Sequence, residues 1–141
     1  MASTSIELPM DYRPSDDEEF MCPMQLEYFR QRLLAWKAQI LSEAETTLNV
    51  LQMEELRKPD QNDRATSEAG WSIELRARDR QRKVIAKIDA ALRRIDEGDY
   101  GYCTVTGEPI SLRRLEARPI ATMTVDAQEQ HERAERVSRD G

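Results

Sequence analysis

Lys58-Pro59-Asp60-Gln61-Asn62-Asp63-Arg64-Ala65 separates two long stretches of helical sequence, and the reading of this break decides the fold. The residue before a proline is pushed out of the α region, so Lys58-Pro59 ends the helix that precedes it. A short connection between two segments of about 35 residues makes them antiparallel neighbours, each on the order of 50 Å long. The break then becomes the distal tip of a helical hairpin carrying two carboxylates three residues apart, Asp60 and Asp63. Taken by themselves these acids cap the second helix: aspartate is a favoured N-cap, and a further carboxylate in the first turn meets the positive helix end. Held at a tip, the same pair is placed to reach into a partner.

Working outward, Pro23 begins the first helix, where its missing N–H would have no partner anyway. Leu26, Phe29, Leu33, Trp36 and Ile40 follow at spacings of three, four, three and four, a seam repeating every seven residues. Ala44, Leu48 and Leu51 continue it after one extra four-residue step, a stutter that locally unwinds a supercoil. The second helix begins within 60–66 and runs to about Glu97, where Gly98 stops it. Trp71, Leu75, Ile85, Ile88, Leu92 and Ile95 supply its apolar side, and Glu74 to Lys83 is mostly charged. Gly70 is a weak point, worth about 1 kcal/mol against alanine. Trp36 and Trp71 are expected in the core.

Composition sets the outer limits. Hydrophobic residues make up 39% of the 141 and charged residues 34%, a balance that fits an amphipathic helix pair better than a large core. The net charge of −6 repels nucleic acid at long range, so a protein partner is expected and direct sequence-specific DNA binding is not. No apolar run approaches the roughly 20 residues of a membrane span, and Met1 to Pro14 lacks the features of a secretory signal. Both point to the cytoplasm, where Cys22 and Cys103 stay reduced. No phosphate loop, nucleophile–base pair or dinucleotide fingerprint is present, so no enzymatic activity is expected. Residues 1–22, with Pro9, Pro14 and Asp16-Asp17-Glu18-Glu19, read as a flexible acidic lead-in. Residues 23–97 are the coiled-coil hairpin, with its tip near 58–66. Residues 98–126 hold Gly98, Gly101, Gly107, Pro109 and Pro119 between β-prone pieces, Tyr102–Val105 and Ile120–Val125, and read as two short hairpins. Residues 127–141 are a polar C-terminal helix and tail. The fold class is therefore mainly α, with a small α+β unit beside the hairpin.

Three ordered stretches resemble the DksA/TraR family of RNA-polymerase-binding transcription factors. Asp60-x-x-Asp63-x-Ala65 is similar to the family's tip motif. Leu75-Arg76-Ala77-Arg78-Asp79-Arg80 resembles its second coiled-coil helix. Tyr100-Gly101-Tyr102-Cys103, with Arg113-Arg114-Leu115-Glu116-Ala117-Arg118-Pro119, resembles its zinc-finger core. The likeness covers roughly residues 23–139. It implies a monomer that enters the secondary channel of RNA polymerase, where Asp60, Asp63 and the small Ala65 act near mobile catalytic elements. Arg80, Val84, Lys87 and Arg118 match positions that help bind guanosine tetraphosphate at the factor–polymerase interface. Gln128 stands where the family pattern has a lysine and brings no charge. The implied function is regulation of initiation: promoter complexes are destabilised, with guanosine tetraphosphate as co-regulator in the stringent response.

The finger departs from the family pattern. The places of its four zinc-binding cysteines hold Cys103 and Thr106, then, after seventeen residues, Thr124 and Ala127. Structural zinc takes four ligands, usually thiolate or imidazole, and this set offers one. Asp126 and His131 could be recruited, but at a spacing that matches no ligand set. The expectation is a zinc-finger-like unit without metal and no required cofactor, in a paralogue that works when zinc is scarce. Thr106 and Thr124 are expected to hydrogen-bond across the former site, with Val105, Ile110, Leu115, Met123 and Val125 packed around it. Two other readings remain open: a transcript-cleavage factor whose tip acids hold a second Mg²⁺, and a generic coiled-coil adaptor.

Overall fold

The computed structural model describes residues 6–57 and 61–140. Helix α1 spans Pro23–Arg57, α2 spans Gln61–Glu97, the short α3 spans Leu112–Ala117 and α4 spans Val125–Asp140. The start of α1 and the end of α2 fall where the proline and glycine signals put them. Two compact units divide the chain: one is Leu34–Asp89, and the other takes the chain up to Leu33 and from Ala90 onward.

The Leu34–Asp89 unit is an antiparallel helical hairpin. Lys37 Nζ meets Asp89 Oδ1 at 2.8 Å, and Gly70 lies beside Leu51, so early residues of α1 face late residues of α2. On α1 the inward positions are those of the seven-residue seam: Trp36, Ile40, Ala44, Leu48 and Leu51 are buried or half-buried, while Gln39, Glu43 and Glu45 are exposed. On α2 the inward row is Gly70, Glu74, Ala77, Gln81, Val84 and Ile88, at alternating steps of four and three. Leu75, expected in the seam, is instead 59% exposed. Counting back from the fully buried Ile88 by fours and threes lands on 74 and not 75, so register outranks side-chain hydrophobicity there.

In the other unit, Phe29 and Leu33 of α1 and Ala91 of α2 are fully buried together with Tyr100, Ile110 and Leu115. The Phe29 and Tyr100 rings lie 5.6 Å apart. Tyr28 OH donates to Glu116 Oε1 at 3.2 Å, and Arg32 Nη1 donates to the Glu116 carbonyl at 2.8 Å. These ties explain why the hairpin unit is shorter than the expected 23–97: the ends of both helices belong to the finger's core.

The two short β-hairpins expected over 98–126 are not formed. Among the described residues there is no strand, only an isolated antiparallel bridge between Tyr102 and Pro109, flanked by Cys103 N to Glu108 O at 2.8 Å and Ile110 N to Gly101 O at 2.7 Å. The β-propensity of Tyr102–Val105 has no second long strand to pair with, and such pieces are marginal alone. Residues 112–117 are helical because Ser111 caps them, its hydroxyl accepting from Arg114 N at 3.2 Å, and because Leu112 and Leu115 bury one face. The unit is irregular backbone plus helix, not α+β. Thr124 begins α4 in the same way, accepting from Ala127 N at 3.2 Å.

The lead-in is not wholly free. Tyr12 OH donates to Glu18 at 3.0 Å, Ser15 N donates to the same carboxylate at 3.0 Å, and Met21 is buried.

Candidate functional site

The residues singled out in the sequence fall in three places. Asp60 lies outside the described residues. Asp63 and Ala65 lie on the first turns of α2, with side chains outside the described residues. Arg80, Val84 and Lys87 are spaced four and three on α2, so they share one face of the helix. Arg80 and Lys87 are exposed and Val84 is half-buried. Two cations flanking an apolar residue form a surface suited to a phosphate-bearing ligand with a flat or apolar part. Arg118 belongs to the other unit. It is the exposed C-cap of α3, its N–H donating to the Arg114 carbonyl at 2.7 Å. Gln128 is half-buried on α4, and its amide donates to Glu132 Oε1 at 3.2 Å. That amide is engaged by an acid in place of the charge a lysine would bring.

The finger positions converge in a different way from that expected. Cys103 is 3% exposed, and Ala127 is buried. Thr106 and Thr124 do not bond to each other. Thr106 Oγ1 accepts from Glu108 N at 3.2 Å, and Thr124 Oγ1 accepts from Ala127 N. Each hydroxyl oxygen serves the turn that follows it, as threonine commonly does. The apolar packing is also narrower: Ile110 and Leu115 are fully buried, whereas Val105 and Val125 are well exposed. The two halves of the finger are joined instead by Thr104, whose N–H and hydroxyl both donate to the Thr122 carbonyl, at 2.8 and 3.2 Å. Arg114 Nε adds a bond to the Met123 carbonyl at 2.9 Å.

The donor set does not fit a structural zinc ion. It offers one sulfur, two hydroxyl oxygens already accepting backbone N–H groups, and a methyl. Among the described residues no group of three or more His, Cys, Asp or Glu side chains could hold a metal ion. His131 pairs with Glu135 at 3.0 Å on the exposed face of α4 and is not drawn to the finger. Burial pushes the Cys103 thiol up, but the Thr106 hydroxyl and the backbone N–H groups of Thr106, Thr124 and Val105 outweigh it and hold the group lowered to about 6.

Several structural residues escaped sequence reasoning. The Lys37–Asp89 ion pair joins residues 52 apart and carries no local signal. Glu74 and Gln81 were read as part of a charged surface, yet both face the seam. A heptad count started from Ile88 would have found them. Gln25, on the first turn of α1, is fully buried, its amide oxygen accepting from Met21 N at 2.8 Å, and nothing in its local sequence marks it.

The geometry agrees with known proteins. Residues 25–95 match the family described as "DnaK suppressor protein DksA, N-terminal domain", and residues 98–133 match the "Prokaryotic dksA/traR C4-type zinc finger". That second stretch contains a single cysteine, Cys103. The chain is 63% identical over 130 residues to the "RNA polymerase-binding transcription factor DksA" of Caulobacter vibrioides, covering 92% of each. Its identity to the Escherichia coli protein of the same name is 44% over 115 residues, 82% of this chain and 76% of that one. The solved structure of transcription factor DksA2 from Pseudomonas aeruginosa superposes with a TM-score of 0.76 at 40% identity, covering 83% of this chain and 90% of that one.

Proposed function

The chain belongs to the DksA family, and from that premise we propose that it regulates transcription by binding RNA polymerase. It acts as a protein ligand of the enzyme, makes and breaks no bonds itself, and works as a monomer that reads no DNA sequence. The hairpin enters the secondary channel, where Asp60 and Asp63 place negative charge in a basic, Mg²⁺-containing interior and Ala65 permits close approach. Carboxylates in such surroundings interact strongly with whatever cations move there. Promoter complexes are destabilised as a result.

What carries this reading is one observation: two helices of 35 and 37 residues pair antiparallel, and Asp-x-x-Asp-x-Ala runs from just before the second helix into its first turns. The net charge of −6 supports a polymerase-directed mode over a DNA-directed one. Guanosine tetraphosphate acts as co-regulator; Arg80, Val84 and Lys87 of the hairpin help to bind it at the polymerase interface, and by the family resemblance Arg118 takes part in binding as well. The shared face of Arg80, Val84 and Lys87 supports that role. Gln128, uncharged and bonded to Glu132, lowers the nucleotide's affinity. The finger needs no zinc, so regulation persists when the ion is scarce.

The test is Asp63→Asn in the full chain. Promoter output in a purified transcription reaction should lose its response to the factor, while polymerase binding is largely kept. An unchanged response would remove the tip from the mechanism. Shortened transcripts from stalled complexes would replace this reading with that of a cleavage factor.

A further inference from the structure

We infer that residues Ser15–Gln25 form a strap that braces the first knuckle of a finger held without an ion. The inference rests on the ion-free reading of the finger given above.

A structural metal in a small finger joins two knuckles and supplies folding free energy that its core is too small to provide. Here the first knuckle begins at Gly101, whose φ of +93° is a region that L side chains rarely adopt. A Cβ added at Gly101 would lie 2.9 Å from Met21 Cγ, 3.0 Å from Sδ and 3.3 Å from Cε. The Met21 side chain therefore lies flat on the glycine backbone, next to Tyr102 and Cys103. The neighbouring Phe20 packs edge-on against the Tyr102 ring, with centroids 5.4 Å apart and planes at 82°. The strap thus packs on the same knuckle that Thr104 joins to the Thr122 carbonyl.

The strap is itself fixed. Met21 has a φ of +52°, alone among the described non-glycine residues in being positive. Such a conformation persists only where the surroundings over-determine it. They do so through Gln25, a fully buried amide. Its oxygen accepts from Met21 N at 2.8 Å, and its Nε2 donates to the Ser15 carbonyl at 3.1 Å. A buried amide satisfied at both ends fixes a single path for the chain between them. Glu18 closes the loop by accepting from Ser15 N and Tyr12 OH. Within this unit, the strap braces the first knuckle, and Thr104 and Arg114 make the join to the second half.

Full-length Met21→Ala, Met21→Leu and Gln25→Ala variants test the strap, with Met10→Ala as the control because Met10 is fully exposed. Hydrogen exchange is read by mass spectrometry over 98–127 and separately over 40–85. Met21→Ala should speed exchange over 98–127 by at least roughly tenfold, as removal of a buried side chain against a close-packed partner does. Gln25→Ala should act alike, Met21→Leu should keep most of the protection, and exchange over 40–85 should stay within twofold of wild type. Unchanged exchange over 98–127 in Met21→Ala overturns the strap. A parallel arm treats wild type with a chelator and measures its zinc content. No stoichiometric zinc and no change in protection is the expected result. Stoichiometric zinc with loss of protection on chelation overturns the ion-free reading, and the strap with it.

Discussion

Replacing Gln81 by leucine should stabilise the hairpin. Gln81 Oε1 is buried without a hydrogen-bond partner among the described residues. It lines a groove with Ile40, Leu41, Ala44 and Ile85, and with Arg78 and Arg82 at the edge. A buried acceptor left unpaired costs about 1–3 kcal/mol. Leucine removes that cost and places methyls at a seam position, although the half-exposed site limits the added burial. The net expectation is about 1–2 kcal/mol of stabilisation, or roughly 3–8 °C in Tm for a chain of this size. Gln81→Ala separates the two contributions, because it deletes the oxygen without adding packing, and should fall between wild type and leucine. Urea unfolding followed by far-UV circular dichroism, with hydrogen exchange of α2 amides to localise the change, measures both. A Gln81→Leu variant that folds but is no more stable would refute the reasoning. It would mean that the amide oxygen is satisfied in solution, by water or by the Arg78 or Arg82 guanidinium of the same groove.

Three further outcomes are expected. Gly70→Ala should add about 0.5–1 kcal/mol, since the new Cβ would stand 3.7 Å from Leu51 Cδ2, an ordinary contact; a loss of stability in urea would show that the helices pass closer than this. Tyr100→Phe should cost about 1–3 kcal/mol, because it strips the buried Pro119 carbonyl of the phenol that donates to it at 2.7 Å, and an unchanged Tm would count against that bond. The third concerns pH. Burial pushes the Glu18 carboxyl up, but bonds from Ser15 N, Tyr12 and Gln25 outweigh it and hold the group below its ordinary 4.5. A depressed folded value means the stabilisation is complete above the unfolded value and is lost as pH falls through the folded one. Thermal unfolding should therefore show a loss below about pH 4.5 that is smaller in Glu18→Gln, and identical acid profiles for the two proteins would refute the assignment.

The hairpin was legible because its signals are local. Pro23, Lys58-Pro59 and Gly98 mark helix ends through backbone sterics that no tertiary contact has to complete. The α1 seam was legible for the same reason: Phe29, Leu33 and Ile40 recur at a spacing that only one helix face can satisfy. On α2 hydrophobicity misleads at Leu75, because Gly70, Glu74, Ala77 and Gln81 carry the register. The finger was least legible. Tyr102–Val105 and Ile120–Val125 have strand composition, yet α3 forms between them because a serine cap and two buried leucines outweigh propensity over so short a span. That Thr106, Thr124 and Ala127 offer neither thiolate nor imidazole was plain from the sequence. The packing of Met21 on Gly101 was not, because the two are about 80 residues apart, and the burial of the Gln25 amide carries no local signal.

The two substitutions in the seam bear on why α2 is built as it is. Inward positions on α2 run from the fully buried Ile88 through half-buried Val84 and Ala77 to Glu74 and Gly70. Along this row the apolar side chains thin toward the segment that carries the acidic motif, where Trp71, beside Gly70, is the half-buried apolar residue. Opening free energies follow buried apolar area, so amide protection should fall along α2 in the same direction. A uniformly apolar seam was available to the sequence at small cost, as leucine at 81 and alanine at 70 illustrate. If both variants are more stable yet regulate promoters less, a pliant distal seam is a working part of the factor, which the tip needs in order to adjust inside the polymerase. If both are more stable and regulate equally well, Gln81 and Gly70 are unoptimised positions that a marginally stable hairpin tolerates, and the mechanism needs only a rod long enough to carry the acids.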